Sequence, residues 1–145
     1  HDTFLKKLVD SKKMPKENLH PFTPEDNEDK GSINYSDALK KFGKQDILIL
    51  GVGEDGHIGA LYPNHHSINN DSDGYIVMDD SPKPPPVRLT MSKKTMLTAN
   101  TAMLLFIGEG KKDAYEKFKS GNDVSECPAR LAKQIENSYI LTNIS

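Results

Sequence analysis

An apolar run, Ile47-Leu48-Ile49-Leu50, ends in Gly51-Val52-Gly53-Glu54-Asp55-Gly56-His57-Ile58-Gly59, and no other stretch limits the fold so strongly. Continuous rather than alternating apolar residues predict a strand covered on both faces, as in a mostly parallel sheet. Gly51, Gly53, Gly56 and Gly59 remove side chains where a ligand approaches the backbone, and they permit positive φ angles. In an open α/β sheet such a turn lies at the carboxyl end of a strand, where the ligand crevice forms. It delivers Asp55 and His57 before a short helix-like segment that Pro63 stops.

The remaining segments fit that grammar. Apolar spacing predicts helices over 2–10 and 34–42, the second closed by Gly43, and a short edge strand over 18–22, with a polar loop over 23–32 between them. Strands are expected at Tyr75–Met78, Arg88–Met91, Thr101–Ile107 and Tyr139–Leu141, and helices at 92–97, 111–118 and 128–135. The alternation implies a layered α/β fold with a largely parallel, Rossmann-like sheet flanked by helices. At 145 residues the chain is one domain.

Composition removes several classes of function. A net charge of -2 from 19 basic and 21 acidic residues provides no general field for nucleic acid or an anionic membrane. No apolar run reaches the roughly 20 residues that span a bilayer. The single cysteine, Cys127, rules out an internal disulfide, which suits a reducing, cytoplasmic setting.

Two constellations carry chemistry. His57 can accept and return a proton near neutral pH, and Asp55 can orient its ring or bond the turn's own amides. The plain alternative is a histidine that packs at an element start. Lys83, braced within Ser81-Pro82-Lys83-Pro84-Pro85-Pro86, and Arg88 on the following strand suit an anionic ligand, because a stiff loop loses little freedom on binding. Two solvated surface cations are the alternative there. Gly51-Val52-Gly53-Glu54-Asp55-Gly56 also satisfies the G-x-G-x-x-G dinucleotide pattern, but Pro63 leaves no room for the crossover helix that such a unit requires. His65 and His66 read as solvated loop residues without a supporting ligand pattern, and Asp79 and Asp80 as strand neighbours pointing to opposite faces.

Taken with Leu105-Phe106-Ile107-Gly108-Glu109-Gly110-Lys111, Pro15-Lys16-Glu17-Asn18-Leu19-His20-Pro21 and Pro128-Ala129-Arg130, these blocks resemble the glucosamine-6-phosphate isomerase/6-phosphogluconolactonase family. Within it the chain looks more like the lactonases. The deaminases typically continue the glycine turn with Asn-Glu-Pro, whereas Ala60-Leu61-Tyr62-Pro63 follows here, and the Lys-Pro-Pro block belongs to the lactonases. The resemblance implies hydrolysis of a small phosphorylated sugar lactone, 6-phosphoglucono-δ-lactone, in the oxidative pentose phosphate pathway, with neither metal nor organic cofactor. It implies His57 as general acid and base, Asp55 as its orienting partner, and Gly51, Gly53, Gly56, Lys83 and Arg88 as substrate-binding residues. A glucosamine-6-phosphate deaminase-like isomerase and a non-catalytic sugar-phosphate-binding module are the alternatives. Members begin with a strand and a Gly-Gly-Ser phosphate turn upstream of the position of His1. Residues 1–145 are therefore expected to be a partial domain, completed by an upstream segment or joined to an upstream dehydrogenase.

Overall fold

The computed structural model describes residues 4–22 and 28–144. The elements in chain order are α1 (Phe4–Asp10), α2 (Glu28–Lys40), β1 (Ile47–Gly51), β2 (Tyr75–Met78), β3 (Arg88–Met91), α3 (Lys93–Met96), β4 (Thr101–Phe106), α4 (Lys112–Ser120) and β5 (Asn137–Thr142). Parallel pairing in the order β1-β4-β5 builds the main sheet, and β2 and β3 form a separate antiparallel ribbon. The expected parallel, Rossmann-like α/β architecture is therefore present, with the ribbon set apart from the sheet.

Register assigns the faces. Ile49 lies beside Met103, which lies beside Tyr139, while Leu50 aligns with Leu104 and Ile140. Side chains alternate along a strand, so Leu48, Ala102, Leu104 and Phe106 share one face and Ile47, Ile49, Met103 and Tyr139 the other. The first set is buried. There Phe106 packs on Tyr115 and Phe118 of α4 at ring distances of 5.2 and 5.4 Å, and Met96, Ala129, Leu131 and Ala132 join the same core. On the second face Ile47 is 58% exposed, Ile49 63% and Tyr139 57%. Among the described residues β1 is thus covered on one face only, unlike the two-sided burial expected from its sequence.

Other expectations change locally. Residues 18–22 form no strand: a 3-10 turn occupies Lys16–Asn18, after which His20 packs on Phe42 and Phe22 on Tyr35. Aromatic docking on α2 replaces the ladder bonds, and Pro21 has no donor to give one. The expected 23–32 loop is helical from Glu28 onward, and the 23–27 part lies outside the described residues, as does the expected helix start at 2–3. A 3-10 turn over Pro128–Gln134 stands in place of the last helix.

The helix-like segment after the glycine turn is absent. Ile58 instead bridges Val52 and Leu61, and Gly56 and Gly59 sit at φ +92° and +57°, a region that a right-handed helix does not use. Ile58, Leu61 and Ile68 are buried, and they pin the irregular segment into the core just beyond His57.

Candidate active site

Parallel β1 delivers the glycine turn to its carboxyl end, where the chain closes on itself. The Gly53 amide donates to the His57 carbonyl at 2.9 Å, and the Gly56 amide donates to the Gly53 carbonyl at 3.0 Å. Asp55 Oδ1 accepts the His57 amide at 3.1 Å and lies 2.6 Å from His57 Nδ1. Lys83 Nζ approaches the other carboxylate oxygen, Oδ2, at 3.1 Å. The structure therefore brings Asp55, His57 and Lys83 into one contact group, although Lys83 is distant in sequence.

The charge state of Asp55 fixes the histidine tautomer. Burial pushes the Asp55 pKa up, but hydrogen bonds from the His57 amide, the His57 ring and Lys83 outweigh it and hold the pKa down to about 2. An ionised carboxylate only accepts, so in the neutral ring His57 Nδ1 carries the hydrogen and the lone pair lies on Nε2. No hydrogen bond occupies Nε2 among the described residues. With its side chain 20% exposed, the ring offers a base to a small molecule without being freely solvated.

The glycines divide by geometry. A Cβ at Gly53 would overlap Nδ1 and Cε1 of His57, so the imidazole lies over bare backbone. A Cβ at Gly56 would meet Cys127 Sγ at 2.7 Å, and its φ of +92° also favours glycine. A Cβ at Gly51 would meet nothing within 4 Å. The amides of Gly53, Gly56 and His57 are all used inside the turn, so its shape leans on them rather than offering them to a ligand.

Arg88 is held elsewhere. Its Nη2 donates to the Pro84 carbonyl, which ties the guanidinium to the proline loop rather than to the Asp55–His57 pair. Ser81 does the joining work that Arg88 does not: its hydroxyl donates to the Lys83 carbonyl at 2.8 Å, and its oxygen lies 3.0 Å from Tyr62 Oη, within hydrogen-bond reach. Tyr62 in turn packs against the His57 ring at 4.8 Å. Below the turn, the Ala129 amide donates to the Gly56 carbonyl at 3.0 Å. Arg130, buried, donates to the carbonyls of Lys117 and Asp123 and so holds the approach to that brace.

Sequence reasoning missed Tyr62, Ser81, Cys127 and Ala129. Ser81 had a local signal, a hydroxyl residue opening a proline loop. Ala129 stood in the Pro128-Ala129-Arg130 block of the family resemblance, but no local rule gives its contact with Gly56, which tertiary packing sets. His65 departs from the solvated-loop reading, with its side chain 16% exposed, whereas His66 is exposed as expected. His65 Nδ1 lies 3.0 Å from Ser67 Oγ, and both rings face Asp80, at 3.5 Å from His65 Nε2 and 2.8 Å from His66 Nε2.

The chain is 35% identical over 144 residues to a 6-phosphogluconolactonase of Borreliella burgdorferi, covering 97% of this chain and 61% of the relative. A 6-phosphogluconolactonase of Mycobacterium bovis is 28% identical over 92% of this chain and 59% of its own. The crystal structure of a 6-phosphogluconolactonase from Shewanella baltica superposes with a TM-score of 0.68 at 24% identity, over 78% of this chain and 51% of the other, and supports the fold. The chain thus spans about three fifths of the length of the two curated relatives. The family described as glucosamine-6-phosphate isomerases/6-phosphogluconolactonase matches residues 1–141, and the chain belongs to that family.

Proposed function

We propose that the protein hydrolyses 6-phosphoglucono-δ-lactone to 6-phosphogluconate, a step of the oxidative pentose phosphate pathway, with His57 as the proton carrier. The observation that carries this reading is the contact group itself: an ionised Asp55 that engages His57 Nδ1 and so directs Nε2 away from itself, beside the cation of Lys83. His57 Nε2 removes a proton from water as the oxygen attacks the lactone carbonyl carbon, giving a tetrahedral oxyanion. As the oxyanion collapses and the ring C–O bond breaks, the imidazolium returns the proton to the departing ring oxygen. Asp55 steadies the imidazolium between those events, as a carboxylate does when it holds a histidine tautomer. These proton transfers need no metal.

Lys83 is the cation best placed to meet an anionic group of the substrate, while Arg88 stiffens the loop that carries it. The relatives named 6-phosphogluconolactonase support the substrate, and the one-chain match to a family shared with isomerases names its competitor.

The test is substrate choice by the full-length protein. Release of 6-phosphogluconate from the lactone above its spontaneous rate, without ammonia from glucosamine 6-phosphate, is the expected result. Ammonia release instead would make the protein a deaminase-like isomerase. Binding without turnover of either would make it a sugar-phosphate-binding module.

A further inference from the structure

A second cluster of chemistry lies next to this site and plays no part in the proton transfers. His65 and His66 open a short 3-10 turn, His66–Asn69, and Asp80 follows the end of β2. Their ligand atoms, one from each residue, all lie within 4.8 Å of one another. We propose that His65, His66 and Asp80 form a binding site for a zinc-like divalent cation, which clamps the 62–69 segment to the loop that carries Ser81 and Lys83.

Metal–nitrogen and metal–oxygen bonds of about 2.1 Å in a tetrahedron place neighbouring ligand atoms about 3.4 Å apart. His65 Nε2 lies 3.5 Å from Asp80 Oδ1, already at that separation, and His66 Nε2 lies 2.8 Å from Oδ2 and 3.0 Å from Oδ1. Opening the His66–Asp80 contact by about half an ångström admits the ion. Two imidazoles and one carboxylate favour zinc, cobalt, nickel or copper over magnesium and calcium, which prefer all-oxygen shells. His66 and Asp80 are exposed, so water completes the coordination.

Protons can rearrange to suit the ion. With the Ser67 amide donating to His65 Nδ1 at 3.2 Å, the ring hydrogen of His65 sits on Nε2 and faces Asp80. An ion at Nε2 moves that hydrogen to Nδ1, which then no longer accepts from the Ser67 amide and becomes a donor instead. Ser67 Oγ lies 3.0 Å from Nδ1 and accepts one hydrogen, from the Tyr62 amide at 3.2 Å, so a second lone pair can receive it. A ligating histidine donates its other ring N–H to an acceptor that orients it, and the Ser67 hydroxyl would take that part here. Tyr62 and Ser81 lie on the two segments the ion would join, and they already share a hydrogen bond. The site does not depend on the reaction assigned to His57.

Titration of the full-length protein with Zn²⁺ by calorimetry, and with Co²⁺ by visible absorption, tests the site. Expected are one equivalent of Zn²⁺ bound, a tetrahedral Co²⁺ spectrum that Zn²⁺ displaces, and no competition from excess Mg²⁺. His66→Ala and Asp80→Asn should each weaken binding at least tenfold, whereas His20→Ala should not. Both altered side chains are exposed, so the fold should survive, and circular dichroism verifies it. Absence of stoichiometric Zn²⁺ binding would overturn the proposal, as would binding that His66→Ala and Asp80→Asn leave unchanged.

Discussion

At the scale of single residues, Gly53 and Gly56 separate chemistry from stability although they stand three positions apart. Gly53→Ala places a methyl group where the His57 ring lies, so the ring must leave Asp55. Turnover should fall by about a hundredfold or more, since a misplaced base forfeits most of its 10²–10⁴-fold contribution, while the melting temperature changes little. Gly56→Ala combines a left-handed φ with an overlap on buried Cys127, and should cost about 1–3 kcal/mol of stability, read as a lowered urea midpoint. Asp55 adds a pH signature. Its pKa in the fold is about 2 against an ordinary 3.8, so the unfolded chain binds the proton more tightly. Its contribution to stability is fully present above about pH 4 and fades as pH falls toward 2. Melting curves of the protein and of Asp55→Asn should therefore differ most above pH 4 and converge near pH 2.

At the scale of elements, the site is a meeting of three loops, and the Ser81 hydroxyl is the joint between two of them. Ser81→Ala removes the links to Tyr62 and to the Lys83 carbonyl, so Lys83 should lose its fixed approach to Asp55. Michaelis constants should rise several-fold with kcat reduced less, a split that mere loss of folded protein would not produce. The sequence was readable where local rules govern. The Ile47–Leu50 run, the Gly43 stop, the Thr101–Phe106 strand and the pairing of Asp55 with His57 two residues later all follow from propensity or spacing. It was unreadable where tertiary contacts decide. Ile58 bridges Val52 and Leu61 instead of continuing into a helix, and Ala129 reaches Gly56 across the fold. His65 and His66 looked like solvated residues because Asp80, which they face, belongs to another element.

At the scale of the whole molecule, β1 is covered on one face only and β5 is exposed along its whole length among the described residues. Ile47 and Ile49 of β1 and Tyr139 and Leu141 of β5 make an exposed apolar face that a stable monomer seldom leaves bare. The continuous apolar pattern of β1, which calls for cover on both faces, points the same way. The chain spans about three fifths of the curated relatives' length, and we propose as the cover the upstream segment expected from the family resemblance. Residues 1–145 alone should bind a hydrophobic dye and hydrolyse the lactone weakly or not at all. Adding the upstream segment, covalently or as a second chain, should suppress dye binding and restore turnover. Full activity of residues 1–145 alone would contradict this.

His57 is where the three scales converge: Gly53 makes room for its ring, the loops carrying Tyr62 and Lys83 surround it, and the sheet fixes its position. The most direct measurement is steady-state lactone hydrolysis by the full-length protein and its His57→Ala variant, corrected for spontaneous hydrolysis. A fall in kcat of about 10²–10⁴-fold, with the Michaelis constant within a few-fold, is the predicted result. Unchanged kcat in a folded His57→Ala protein would contradict the assignment of proton transfer to this residue.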